Sequence, residues 1–455
     1  MRRFLLATTA LVAVSFAANG ASAESLEDAL AATYNNNPQV QAERSNLRAV
    51  DEGVPQALAG WRPTVNFLAS AGKQQQENSP AAPPNSPAEQ QLQPRILSLT
   101  VTQPVYNGGA TIAQTAQAED KIQAERAKLA AIESTALFTA TQAYFDVLRD
   151  LAVVQLDDNN IKVLSRQLEA TSDQFRVGSV TRTDVAQAEA RRAQAQAVHD
   201  TDLGLLENDR ANFTRAVGHT PVDLVQPTLR PVLPATRAEA LTLAATKNPT
   251  VISSQFNEVA ARDNVAQIKA KLLPTVQVVG NIGRSQEVTI ASREQTNQSV
   301  VAQLVVPLYE AGTVWSQSRQ AIELVGQAQG TTDDARRAAV QTATQSWETI
   351  QSARATTLSL QSTIRAATIA LDGVTQQQQV GARTVLDVLN AQQELFADQL
   401  LLVRAQHDLN VAEFNLSQQI GRLNAADLAL AVDLYDTQKH YQAVRNKAAG
   451  FSAGD

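Results

Sequence analysis

The chain has 455 residues, a formal net charge of −7 and no cysteine. The last point excludes disulfide staples, thiolate metal sites and cysteine nucleophiles. The acidic balance argues against a nucleic-acid partner.

The chain opens on a secretory leader, residues 1–23. Arg2 and Arg3 form the basic start, 4–18 is the apolar run, and Ala21-Ser22-Ala23 is the small-residue cleavage site. Cleavage takes the charge to −9 by removing the two arginines. No later window holds 18 consecutive apolar residues, so entry into a membrane would have to be as a β-barrel.

The mature chain contains itself twice. Ala29-Leu30, Asn37-Pro38 and Pro63-Thr64-Val65 recur 211 residues later as Ala240-Leu241, Asn248-Pro249 and Pro274-Thr275-Val276. From Pro104 the offset is 203: Pro307 answers Pro104, Gly381 answers Gly178 and Gly421 answers Gly218. The eight-residue difference falls where 74–94 carries five prolines among Gln, Asn and Ser, an exposed loop by composition. The expected organisation is a first repeat over 24–235, a second over 236–421 and a C-terminal tail at mid-height over 422–455.

Each repeat begins with a short helix that stops at Asn-Pro, where proline suits the first turn of the next helix. That second helix is expected over 38–61. Strands follow at about 62–73 and 95–106, where Val65, Phe67 and Ala69, then Leu97, Leu99 and Val101, alternate with Thr, Asn and Ser. The second repeat places its strands at about 273–284 and 298–308, the last with weaker alternation. Trp61, Tyr106, Tyr309 and Trp315 all stand at strand–helix junctions, as the interfacial aromatics of a membrane barrel would. Four strands cannot close a barrel, so closure requires several chains.

Residues 110–177 follow without one glycine or proline, crowded with Ala, Gln, Glu, Lys and Leu. One helix of that length would run ~100 Å. Its counterpart is 313–380. Return helices span 181–217 and 384–420, and a proline-rich linker covers 220–235. In the second return helix Val388, Leu395, Leu402, Leu409 and Leu416 recur every seven residues, the period of a left-handed supercoil.

Each long helix turns on V-G-x-x-T-x-x-D-V-x-x-A, at 177–188 and 380–391. Glycine is the left-handed cap, Thr181 and Thr384 are N-caps, and Asp184 and Asp387 complete a capping box. Structural capping is at least part of the reason for these residue types.

The leader, the duplication, the A-L and N-P motifs, the paired strands and these tips together resemble the TolC family of outer-membrane channel-tunnels. The ending Tyr435…Tyr441-Gln442-Ala443-Val444-Arg445 resembles members that serve type I secretion. The resemblance implies a mainly α fold with a membrane β-barrel. A homotrimer would form a 12-stranded barrel in the outer-membrane lipid, set on a 12-helix α-barrel reaching across the periplasm. It implies the exit duct of a tripartite export system, for type I protein secretion or multidrug efflux. Its partners would be a periplasmic adaptor (membrane fusion protein) and an inner-membrane ABC exporter or proton-driven pump. In that family a closed periplasmic end is held by polar ties and an acidic ring. Asp387 matches the ring, while the second ring aspartate is replaced by Asn390. Arg383 matches the tie residue, Thr183 and Asp184 its acceptors, and Gln378 stands where the family has a tyrosine tie. Gly178, Ser179 and Gly381 match tip positions that meet the adaptor.

An enzyme finds no support. His199, His219, His407 and His440 lie far apart with no metal-ligand spacing, and no phosphate loop or nucleophile elbow occurs. No cofactor is called for. Asp157-Asp158, inside the long helix, reads as a solvated face. The competing class is a secreted coiled-coil stalk or adhesin, which explains the helices but not the hairpins.

Overall fold

The computed structural model describes residues 23–77, 89–289 and 291–452. All but the last residue of the expected leader lies outside them. Ten α-helices and six strands are described in chain order. They are α1 (Leu26–Asn36), α2 (Pro38–Asp51), α3 (Gly53–Leu58), β1 (Thr64–Ala71), β2 (Gln74–Glu77), β3 (Glu89–Leu92) and β4 (Arg95–Asn107). Next come α4 (Ala110–Arg176), α5 (Arg182–Val217), α6 (Arg237–Lys247), α7 (Pro249–Ala270), β5 (Thr275–Gln286) and β6 (Glu294–Val305). The chain ends with α8 (Thr313–Gln379), α9 (Val385–Gln419) and α10 (Lys439–Val444). Both long helices count 67 residues, and they begin 203 positions apart.

The chain folds into two compact units, each assembled from three separate stretches. The first joins Met1–Asn35, Thr139–Arg230 and Ala353–Val411. Its aromatic centre is Tyr144 and Phe213, both fully buried, with ring centroids 6.3 Å apart. The Tyr144 hydroxyl donates to the backbone carbonyls of Glu24 (2.9 Å) and Val225 (2.6 Å). Those bonds bind the start of the described chain and the linker to α4.

The second unit joins Asn36–Phe138, Pro231–Ser352 and Ala412–Asp455. It holds an antiparallel four-stranded sheet in the order β1-β4-β5-β6. Register sets Val65 beside Val101, Gly280 and Val300 in one row, and Phe67 beside Leu99, Ile282 and Gln298 two rows on. Residues in alternate rows share a face. One face is therefore built of Val65, Phe67, Leu97, Leu99, Val276, Val278, Ile282, Val300 and Leu304. The intervening rows bring together Asn66, Thr100, Asn281 and Ser299, and Gln277 with Gln303. That face is stitched by side-chain bonds, Asn281 Nδ2 to Thr100 Oγ1 and Gln277 Nε2 to Gln303 Oε1, both 2.9 Å. The apolar face stands bare: Phe67 is 69% and Val300 81% exposed.

Four expectations are corrected. The loop at 74–94 is not wholly irregular, since β2 and β3 pair within it; glutamine runs show no alternation to reveal a strand. Residues 78–88 lie outside the description. The helix expected over 38–61 breaks at Glu52 and ends in a 3₁₀ turn, Ala59–Trp61, because Pro55 has no N–H to continue the ladder. Its counterpart α7, with Ala266 at the matching position, runs 22 residues unbroken. The last strand covers Glu294–Val305, four residues earlier than its alternation suggests, since its first turns are polar on both faces.

The tail does not stay at mid-height. Ala425 N–H bonds Glu133 of α4 at 3.1 Å, Tyr441 and Arg445 bond Glu119 at 3.2 and 3.1 Å, and the Lys447 carbonyl accepts from Arg62 Nη1 at 2.9 Å. From Glu133 to Glu119 the tail climbs fourteen residues of α4, ~21 Å, toward the strands. Tyr435 and Tyr441 enter the cluster of Leu47, Val54, Ile122 and Leu129, and His440 Nδ1 sits 3.0 Å from the buried carboxylate of Asp51.

Candidate functional site at the hairpin tips

The candidate site lies in the first unit, where α4 turns into α5 and α8 into α9. At the first tip Gly178 has φ +80°, and its N–H bonds Phe175 O at 2.9 Å while Ser179 N–H bonds Gln174 O at 2.9 Å. Gly381 repeats the motif with φ +76°, its N–H on Gln378 O at 3.0 Å and Ala382 N–H on Gln377 O at 2.9 Å. Paired bonds of this kind satisfy the last carbonyls of a helix and require the left-handed residue that glycine supplies.

The return helices start on matched capping boxes. Thr181 N–H and Oγ1 donate to Asp184 Oδ2 at 2.8 and 2.7 Å, and Asp184 N–H returns a bond to Thr181 Oγ1 at 3.3 Å. Thr384 and Asp387 make the same three bonds at 2.9, 2.9 and 3.2 Å. The backbone N–H and hydroxyl of Thr384 hold the Asp387 carboxyl below its usual range, with Arg383 adding a smaller effect, so Asp387 is an anion at neutral pH.

The two hairpins pack on each other just above the tips, through Leu164, Ala188, Val385 and Leu389. Near the tips a polar tie crosses them within one chain, Arg191 Nη2 to Asn390 Oδ1 at 3.3 Å. Arg383 turns to its own hairpin, Nε donating to Gln377 Oε1 at 3.2 Å. No bond joins it to Thr183 or Asp184 among the described residues. Gln378 offers its backbone carbonyl to the glycine turn. Arg191 was not singled out by sequence; the signal lay in Arg191-Arg192, a basic pair a few turns into a helix with no acid at i±4 to meet it. Val177 and Val380 crown the tips, both 81% exposed.

Higher in the same unit α4 carries charged groups that face α5 and α9. Arg149 bonds Asp146, Asp150 and Asp209 at 2.7–2.8 Å. Asp146 also lies 2.9 Å from His407 Nε2. Burial works against a charge on His407, but Asp146 and Asp408 outweigh it and raise its pKa. Asp157 corrects the expectation of a solvated pair: it is 2% exposed, its Oδ2 has no hydrogen-bond partner among the described residues, and the Asp202 carboxyl of α5 acts on it, while Asp158 stays open. Burial first, then the Asp202 carboxyl, push Asp157 up to about 7.

In the second unit the junction aromatics flank the sheet's lower end. Trp61 is half-buried and its carbonyl accepts from Gln103 Nε2 at 2.9 Å. Tyr106, Tyr309 and Trp315 are exposed. Among the described residues no group of three or more His, Asp and Glu side chains could hold a metal ion.

The sequence matches the family described as "Outer membrane efflux protein" over residues 29–219 and 240–422. It is 32% identical over 440 residues to the outer membrane efflux protein BepC of Brucella suis, a match covering 96% of this chain and 93% of that one. It is 26% identical to the alkaline protease secretion protein AprF of Pseudomonas aeruginosa, over 74% of this chain and 71% of that one. The fold is similar to the crystal structure of the CmeC outer membrane channel of Campylobacter jejuni. The TM-score is 0.78 at 12% identity, covering 93% of this chain and 89% of that one.

Proposed function

The chain belongs to the outer membrane efflux protein family, located in the outer membrane and concerned with passage rather than catalysis; from that premise we propose that it is a trimeric exit duct whose periplasmic tip is a gate. The observation that carries the reading is the four-stranded sheet with one bare apolar face and edge strands β1 and β6. An edge strand presents unpaired backbone groups, which lipid does not tolerate. Pairing β6 of one copy with β1 of the next satisfies them, and three copies supply the twelve strands of a closed barrel. The apolar face then meets lipid and the Asn, Gln, Ser and Thr face lines the lumen.

At the other end three copies of Asp387 form a ring of anions around the axis, where mutual repulsion favours cations. Arg383, which makes no ion pair within its own chain among the described residues, reaches Thr183 and Asp184 of a neighbouring copy and ties the tips shut. Gly178, Ser179 and Gly381, beside the bare Val177 and Val380, are the surface for a periplasmic adaptor. The adaptor links the duct to an inner-membrane ABC exporter or proton-driven pump, which supplies the energy. The similarity to AprF supports protein secretion by the type I route, and that to BepC supports efflux.

Planar-bilayer recording of the purified protein tests the reading. Small cation-selective conductance from an SDS-resistant trimer is expected, rising when Arg383→Ala and Asp184→Ala are combined. A monomer that inserts no channel would overturn it.

A further inference from the structure

Residues 439–452 of the C-terminal tail form a built feature. α10 is fixed from below by His440 on Asp51, by the Tyr441 hydroxyl on Glu119, and by Val444, which is fully buried. The guanidinium of Arg126 lies over the Tyr441 ring, 5.5 Å from its centroid. Beyond α10 the chain makes a closed turn over 446–452. Lys447 N–H bonds Val444 O at 2.9 Å, Gly450 adopts φ +116°, and Lys447 Nζ folds back onto the carbonyl and hydroxyl of Ser452. Phe451, within this turn, presents its ring wholly to the outside, 110% exposed.

The turn's place is set by one bond. The Lys447 carbonyl is held by Arg62, which follows the Trp61 turn and stands two residues before β1. That level is where the helices end and the apolar sheet face begins. A bare phenyl ring on a turn that Arg62 anchors and Lys447 closes has the make-up of an interfacial membrane contact: aromatic body at the acyl boundary, basic groups at the phosphates.

We propose that the 446–452 turn is a foot resting on the inner leaflet of the outer membrane. Phe451 enters the acyl boundary, and Arg62 and Lys447 meet phospholipid phosphate. The inference rests on the barrel reading above, which sets this junction at the membrane surface. The second repeat has no such foot: Leu273 stands at the position matching Arg62 and Arg262 at that matching Asp51, so the tail has one place to dock.

The test uses the intact trimer in nanodiscs of phosphatidylethanolamine and phosphatidylglycerol. Phe451→Trp adds an indole to the three native ones, and the difference from the parent chain reports its surroundings. Lipids brominated near the headgroup end of the acyl chain are expected to quench the added indole roughly twofold. Adding Arg62→Gln and Lys447→Gln should lower that quenching. An added indole left unquenched, whether in water or packed against another copy, overturns the foot. Quenching indifferent to the two glutamines overturns the phosphate contact. Bilayer conductance of the same sample separates a failed foot from a failed channel.

Discussion

The buried carboxyl of Asp157, with the Asp202 carboxyl acting on it, makes the α4–α5 hairpin a pH-dependent joint. Asp157 is 2% exposed, and burial together with Asp202 raises its pKa from 3.8 to about 7. The groups that face it are Asp158 on its own helix and His199 and Asp202 on α5; Asp200 lies beside them on His199 Nδ1. A carboxyl raised in the folded state binds a proton there that the open chain has released. Stability therefore falls as pH rises from about 3.8 toward 7 and levels off above. Three pKa units correspond to about 4 kcal/mol in all, of which about 2.5 kcal/mol falls between pH 5 and 8. The proton belongs to the pair, so the figure is a ceiling for the two residues together. Hydrogen–deuterium exchange of peptides over 150–164 and 195–206 in the intact trimer measures the local opening free energy, once intrinsic exchange rates are divided out. The parent protein should open more readily at pH 8 than at pH 5, and Asp157→Asn should remove that dependence. A parent whose protection is level over this range, or an Asp157→Asn protein that keeps the slope, would refute the shared proton.

Three further outcomes are expected. Val300→Arg puts a charge on the apolar face at a cost of ~2–4 kcal/mol in lipid, whereas Ser299→Arg, one residue away on the polar face, leaves insertion intact and alters conductance; heat-modifiable migration of outer-membrane extracts separates the two. Arg191→Ala removes the tie to Asn390 inside one chain and should raise antibiotic entry less than Arg383→Ala, read by growth on large antibiotics; the reverse order would place the controlling tie within the protomer. Gly108→Ala forces a side chain into φ +66° and a Cβ to 2.4 Å from the Ala270 carbonyl, destabilising the β4–α4 junction by about 2–3 kcal/mol or more, visible as a lower trimer melting temperature.

What could be read from the sequence is local order. The glycine- and proline-free run over 110–177 gave a helix because nothing in it interrupts the hydrogen-bond ladder, and the tips were legible because a capping box is complete within four residues. Sheet faces were legible where alternation was clean, as in β4, and blurred in β6, whose Glu294–Asn297 start is polar throughout. What stayed hidden depends on partners distant in the chain. Asp157 reads as a surface acid until Asp202, 45 residues on, covers it. Asn390 reads as a lost ring position until Arg191 is seen to bond it. Pro55 was the exception, a local signal that breaks a helix inside an otherwise periodic stretch.

The duplication explains why these hidden partners differ between the copies. A repeated chain begins with two equal junctions between helix and sheet, but it has one C-terminus, which can serve only one of them. The first copy carries the residues that receive it: Asp51 for His440, Glu119 for Tyr441 and Arg445, and Arg62 for the Lys447 carbonyl. At the first and last of these the second copy has Arg262 and Leu273, which repel or ignore the same groups. Pro55 belongs with them, for the helix it interrupts is the one on which the tail packs: Val54, one residue before it, is fully buried in the cluster with Tyr435 and Tyr441, while α7 runs unbroken. At matched positions Tyr106 of the covered junction is 44% exposed and Tyr309 of the uncovered one 85%. With the proposed foot in place, the two junctions built on one pattern would meet the membrane surface differently, one through the tail and one through bare aromatic rings.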